Sequence, residues 1–345
     1  MSQTTKIQVA PDATHAAVGD VLKGVFKDGL LGMRREPGAV VAYAALVIVV
    51  AVWVVRTPNL TPSSLTRMMT GQVPLVLAAV GMSIVLIAKG IDLSMGSMVV
   101  LSEMIVLVWT PPLHSPWLAA LAAVIVTSLV GLFNGVMVGV VKLPALVVTL
   151  ATGSIASGVA LVVAPKSVSG TLPQSFIDVV MTMVGPVPLV LILAFALPGL
   201  IWFPIRRSRA GFALMAVGSD ESAAFVSGLR PRLVLPLAYV LSGLFAGLAG
   251  VLFAMSTNGA SASTTNTYTL NAIAAAVLGG VSLTGGRGSV AGAIAGAFVL
   301  TFINALLGAW NVDMMWANVV TGAILIAVVG VPFLINQARV RRVKS

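Results

Sequence analysis

Long apolar stretches alternate with short polar segments along nearly the whole chain. A helix needs about 20 apolar residues, rising about 1.5 Å each, to cross the hydrocarbon core of a bilayer. Ten stretches meet or approach that length: 38–55, 72–88, 93–110, 117–141, 144–164, 186–204, 233–255, 268–284, 288–308 and 315–335. The spans at 72–88 and 268–284 are the shortest, and the amphipathic stretch 171–185 predicts a partial helix outside the membrane. The pattern predicts an all-α, polytopic membrane protein: a tail over 1–37, a transmembrane unit over 38–335 interrupted by a loop at 205–232, and a basic tail over 336–345.

Composition agrees. The 345 residues are 58% hydrophobic and only 9% charged, against about 25% charged in a soluble domain, so lipid serves as the outer solvent. There is no cysteine, which excludes disulfides and thiolate metal sites, and the two histidines, His15 and His114, lie far apart in sequence. A metal centre is therefore not expected. The net charge of +10 could suggest nucleic acid, but most of the basic residues flank apolar runs and follow membrane topology instead. With both termini in the cytoplasm, all but Arg56, Arg67 and Lys166 of the 20 lysines and arginines fall on the cytoplasmic side. Lys89 and Asp92 then occupy a cytoplasm-side break between two spans. No secretory signal is evident, because the first long apolar run begins only near Val40. In the tail, Val18, Val21, Leu22, Val25 and Phe26 share one helical face. Both an interfacial amphipathic helix and an unstructured tail fit.

Glycine and polar positions mark where the spans do more than fill lipid. Gly131, Gly135 and Gly139 form a tandem GxxxG, as do Gly288, Gly292 and Gly296. This spacing lets helix backbones approach closely, either as plain packing or to support a pathway. Gly90-Ile91-Asp92-Leu93-Ser94 resembles Gly280-Val281-Ser282-Leu283-Thr284, and both lie at breaks between consecutive spans. Asp92 is expected to cap the helix that follows it. Glu103 lies well inside a span, where a carboxyl is either functional or hydrogen-bonded to a neighbouring helix. Asn134, Thr149, Asn304 and Asn318 are uncharged polar residues in apolar helices, able to bond across an interface or face a wet cavity.

No Gly-Lys pair occurs, so there is no phosphate-binding loop, and neither histidine has a partner for nucleophilic catalysis. The chain is not expected to hydrolyse ATP. Its largest loop contains "GSDESAAFVSGL", Gly218 to Leu229. Ser219 or Asp220 suits an N-cap, Ala223 to Val226 can make two turns, and Gly228 stops them. This predicts a short helix outside the membrane, docked on a partner or lying on the lipid surface.

Four stretches carry a resemblance: "GIDLSMGS" at 90–97, "NGVMVGVVKLPALVVTLAT" at 134–152, "GSDESAAFVSGL" at 218–229 and "IAAAVLGGVSLTGGRGS" at 273–289. Over about residues 40–335 the chain resembles the permease subunit of bacterial ATP-binding-cassette importers for monosaccharides, of the ribose, xylose and galactose type and the type II importer fold. The resemblance implies a pair of permease chains, identical or sister, a tandem ATPase carrying ATP and magnesium, and a periplasmic or lipid-anchored sugar-binding protein. It implies no cofactor in this chain. It makes the 218–229 helix the coupling helix, with Gly218, Asp220, Glu221, Ala223, Ala224, Phe225 and Gly228 at the ATPase contact. For the pathway of a neutral sugar or polyol, Asn134, Thr149, Asn271 and Asn304 are the candidates. The chain departs from the family pattern at Asp220, Ser157, Tyr268 to Asn271 and "APKSVSGTLPQSF", which bears on cargo more than on fold. Rival readings are an ion-coupled transporter using Glu103, and the same architecture carrying a nucleoside, an inositol or a furanone-type signal.

Overall fold

Among the described residues the long apolar runs become helices, several of them bounded by helix-breaking residues. The computed structural model describes residues 37–312 apart from 58–61, 164–167, 171, 186 and 261–264, together with scattered positions from 316 to 330. The spanning helices are α1 (Pro37–Arg56), α2 (Pro62–Ile87), α3 (Met95–Leu113), α4 (Pro116–Gly139), α5 (Ala145–Val163), α7 (Leu189–Arg207), α10 (Pro231–Thr257) and α12 (Val290–Ala309). These eight are long and apolar enough to cross a membrane. Shorter helices are α6 (Gln174–Met181), α8 (Arg209–Ser219), α9 (Glu221–Val226) and α11 (Thr265–Leu278). Two-residue strands pair as β1 (Val168–Ser169) with β4 (Gly259–Ala260), and β2 (Met183–Val184) with β3 (Val187–Pro188), both antiparallel.

Breakers explain the boundaries. Pro116 opens α4 behind Ser115, whose side chain accepts from the Leu118 N–H. α10 opens on Pro231 and ends at Asn258 in the left-handed region. α6 is the expected partial helix, with Phe176 and Val180 turned inward. The tail over 1–36, the basic tail over 336–345 and the side chain of Asn318 lie outside the described residues. Within the expected tenth span, every described position from 316 to 330 is helical.

α2 is the centre of the bundle. Its apolar window is 89% buried, against 17% for α1 and 22% for α7, which are largely exposed at the outside of the bundle. α10 packs along α4, α2 and α3, and α12 packs along α1 and α11. The α4–α10 contact is a glycine seam. A Cβ on Gly131 would overlap the Tyr239 carbonyl, and one on Gly135 would overlap Pro236. A Cβ on Gly139 would reach 2.8 Å from Pro236 Cδ. Gly243 and Gly247 of α10 are equally closed by Thr127 of α4. Close approach of this kind substitutes van der Waals contact for the hydrophobic drive that lipid cannot supply.

Two expectations are corrected. The span expected at 268–284 is a 14-residue helix, α11. At about 1.5 Å per residue it is too short to cross the core alone, because Gly279 and Gly280 end it. Gly288 does not belong to the second glycine seam: it sits in the turn before α12 at φ +131. Gly292 and Gly296 are the seam, since a Cβ on Gly292 would overlap the carbonyl of Gly279, just past α11, and one on Gly296 would overlap that of Ala275 on α11.

A Cβ has no room at Gly131, whereas at Gly71 nothing lies within 4 Å. Gly131→Ala is therefore expected to lower the unfolding temperature in detergent. Gly71→Ala is expected to be neutral or stabilising by up to about 1 kcal/mol, from helix propensity. Equal behaviour of the two variants would contradict the seam.

Candidate functional site

The helix break between α2 and α3 has to satisfy backbone groups that lipid cannot. α2 closes with Lys89 in the left-handed region at φ +64, and the Gly90 and Lys89 N–H groups bond back to Val85 and Leu86. Gly90 is required by close packing: a Cβ there would stand 2.9 Å from the Tyr239 hydroxyl. That hydroxyl donates to the Ile91 carbonyl at 3.0 Å.

Asp92 lies at the middle of the break and is fully buried. Its Oδ1 accepts from the Ser94 N–H at 3.0 Å and the Ser94 hydroxyl at 2.5 Å, and its Oδ2 accepts from Ser242 of α10 at 2.7 Å. Asp92 is therefore not the cap of α3. Ser94 holds the N-cap position without a side-chain cap bond. Asp92 instead turns the chain two residues ahead and ties it to α10.

Three further helices reach the same place. Asn134 of α4 donates to Ser94 Oγ at 2.9 Å, Thr149 Oγ1 of α5 accepts from Leu93 N–H at 3.1 Å, and Thr269 Oγ1 of α11 accepts from Gly96 N–H at 2.9 Å. Four helices thus supply the polar groups for one break. Asn134 and Thr149, both expected in a pathway, are brought together here and are fully buried.

The break between α11 and α12 repeats the chemistry. Gly280 takes φ +85 and the Val281 N–H bonds back to Ala276. Ser282 Oγ accepts from Thr284 N–H at 3.2 Å and lies 2.7 Å from Thr284 Oγ1. Ser282 and Thr284 correspond to Asp92 and Ser94 in the two matching pentapeptides. The Ser282–Thr284 pair is exposed, so this turn needs no buried charge.

The same, basic end of the bundle carries the loop helix α9. Asp220 is its N-cap, with Oδ1 accepting from Ala223 N–H at 2.9 Å. Gly228, at φ +83, follows its end. Lys142, at the α4–α5 turn, forms an ion pair with Glu221. Only 5% of Ala224 is exposed, because it packs beneath α8, so it cannot enter a partner's groove. Phe225 and Val226 are 69% and 86% exposed and are the available apolar pair. Gly218 is not free for a partner either, since a Cβ on it would overlap the Ile87 carbonyl. α8 went unforeseen in the sequence. Ser208, whose side chain accepts from Ala210 N–H to cap it, was the available signal.

The profile of the family described as the permease component of branched-chain amino acid transport systems matches residues 64–329. The chain belongs to this permease family. It is 29% identical over 295 residues to the D-allose transport system permease protein AlsC of Escherichia coli (strain K12), covering 85% of this chain and 90% of the relative. It is 31% identical over 302 residues to the autoinducer 2 import system permease protein LsrC of Salmonella typhi, covering 86% of this chain and 84% of the relative. No solved structure matches. As a permease of this family with eight described spans, the chain is a multi-pass protein of the inner membrane.

The permease's other candidate residues lie away from the break. Asn271 is half-buried on α11, and Asn304 is half-buried on α12 with its Oδ1 unpartnered. Ser157 of α5 donates to Ser97 of α3 at 3.1 Å. Glu103 is 1% exposed. Its Oε1 lies 3.4 Å from Thr257 Oγ1, and its Oε2 has no partner. Thr257 has one hydroxyl proton and two nearer acceptors, the Gly259 carbonyl at 2.6 Å and the Phe253 carbonyl at 2.9 Å. Glu103 is thus the less well satisfied of the two buried carboxyls.

Removing Asp92 strands the hydroxyls of Ser94 and Ser242 and a backbone N–H. Asp92→Ala is expected to destabilise the permease by about 2–3 kcal/mol in reversible detergent unfolding. Asp92→Asn keeps an acceptor for Ser94 and should cost clearly less. Equal losses would show that one acceptor of the same bulk is not enough and that the site needs the carboxylate itself.

Proposed function

We propose that this permease is the pore-forming subunit of an ATP-driven importer that carries a neutral monosaccharide or related polyol by alternating access. The observation that carries the reading is α9, which presents Phe225 and Val226 to solvent at the basic end of the bundle. The positive-inside rule puts that end in the cytoplasm. Two bare apolar side chains there fit the groove of a separate ATPase, which would bind ATP and magnesium.

A second permease chain, the same or a sister, would complete the pore, and a periplasmic or lipid-anchored binding protein would deliver the cargo. The family's description and the relatives' names mention branched-chain amino acids, D-allose and autoinducer 2, so membership leaves the cargo open. Among the described residues of the spans, Glu103 aside, the buried polar side chains are uncharged, among them Ser97, Ser102, Asn134, Thr149 and Thr301. Such groups suit a neutral, hydroxylated cargo.

The test is reconstitution of the permease in vesicles with the ATPase and binding protein that co-purify with it. ATP should drive accumulation of the binding protein's ligand. Accumulation by the permease alone, driven by an ion gradient, would overturn the reading. An apolar anchor at an interface is worth about 2 kcal/mol or more. Phe225→Asp should therefore weaken ATPase attachment about thirtyfold and abolish uptake, with the permease still folded. Glu103→Gln should leave uptake within about twofold of wild type, a shift below 1 kcal/mol. Loss of uptake in that variant would favour a proton-carrying Glu103.

A further inference from the structure

Three chain segments that are distant in sequence touch through glycines at the basic end. The first is the end of α2. Its Ile87 carbonyl is one of the orphan acceptors of a helix C-terminus, and it accepts from the Gly286 N–H at 2.8 Å. The second is the break before α12. A Cβ on Gly285 would stand 2.6 Å from Lys89 Cβ and 2.6 Å from the Gly218 carbonyl. The third is the residue pair that leads into α9. A Cβ on Gly218 would overlap Ile87, and one on Gly286 would overlap Ser219, whose hydroxyl also reaches the Gly286 carbonyl at 3.5 Å. Gly285 and Gly286 both have positive φ, +83 and +71.

These contacts leave no slack. Close-packed backbone is displaced as a unit and does not compress. Ser219 directly precedes Asp220, the cap of α9. Any shift of α9 therefore presses on Gly286 and Ile87 together, and so on both helix breaks.

We propose that Gly218, Gly285 and Gly286 form a transmission joint through which movement of α9 reaches both breaks at once. The three are positioning residues. The inference rests on the ATP-driven reading above, and adds that the glycine-rich turn after α11, not α9 alone, conveys the stroke.

The permease contains no cysteine, so pairs of spin labels can be introduced cleanly into the complete complex with ATPase and binding protein in nanodiscs. Labels at Ser222→Cys on α9 and Leu283→Cys in the second break span the joint, and leave the Phe225–Val226 pair intact. A label at Val184→Cys, in β2, is the reference. All three residues are exposed. On adding ATP, the distance from Val184 to Ser222 should change, the distance from Val184 to Leu283 should change with it, and the distance from Ser222 to Leu283 should hold.

With Gly286→Ala added, α9 should still respond while Leu283 no longer follows. Gly185→Ala places the same side chain at a positive φ of +63 with nothing within 4 Å, and should behave as wild type. A Leu283 label that stays still while α9 moves in the wild-type complex overturns the joint. So does a Gly286→Ala complex that still moves as a unit. The wild-type label pairs decide the matter even if Gly286→Ala does not assemble. If ATP moves no label in the wild-type complex, the ATP-driven reading fails and the joint with it.

Discussion

A carboxylate without a counter-ion among the described residues sits inside the bundle, and much of the architecture serves to hold it. Asp92 interrupts two spans where water cannot solvate the loose backbone. An unpaired polar group in such a place costs several kcal/mol. The break therefore survives only because Asn134, Thr149, Tyr239, Ser242 and Thr269 arrive at the same level from four helices. The glycine seam makes part of this possible. Gly131 and Gly135 let α10 approach α4 closely enough for Tyr239 and Ser242 to reach the break. Packing and polar satisfaction are here one constraint.

That constraint suits a permease. A continuous helix buried like α2 would be rigid from end to end. A broken one held by side chains from four neighbours can exist in more than one arrangement if those neighbours move together. The second break uses the same turn chemistry at the surface, with Ser282 in place of the charge, and lies against the approach to α9. The repeated architectural theme within this one chain is two interrupted helix pairs meeting beside a loop that a partner can grip.

Much of this was legible in the sequence, and the reasons are physical. Apolar run length gave the spans, because thickness of the bilayer fixes it. Asp220 and Gly228 announced α9 through capping chemistry that acts locally. What failed depended on tertiary packing. Ala224 reads as an apolar residue awaiting a partner, but α8 already covers it. Gly288 keeps the seam's spacing but lies before the helix starts. Asp92 reads as a cap, and only the arrival of Ser242 from 150 positions away reveals a tie between helices. α11 looks like a span until the turn at Gly280 shortens it.

Amide exchange across residues 88–98 tests the central claim most directly. If side chains from four helices hold the break closed, these amides should exchange nearly as slowly in the wild-type permease as the middle of α2. Ser242→Ala should speed exchange at 88–98 while leaving the middle of α2 slow. Fast exchange at the break in the wild type, or no response to Ser242→Ala, would contradict it.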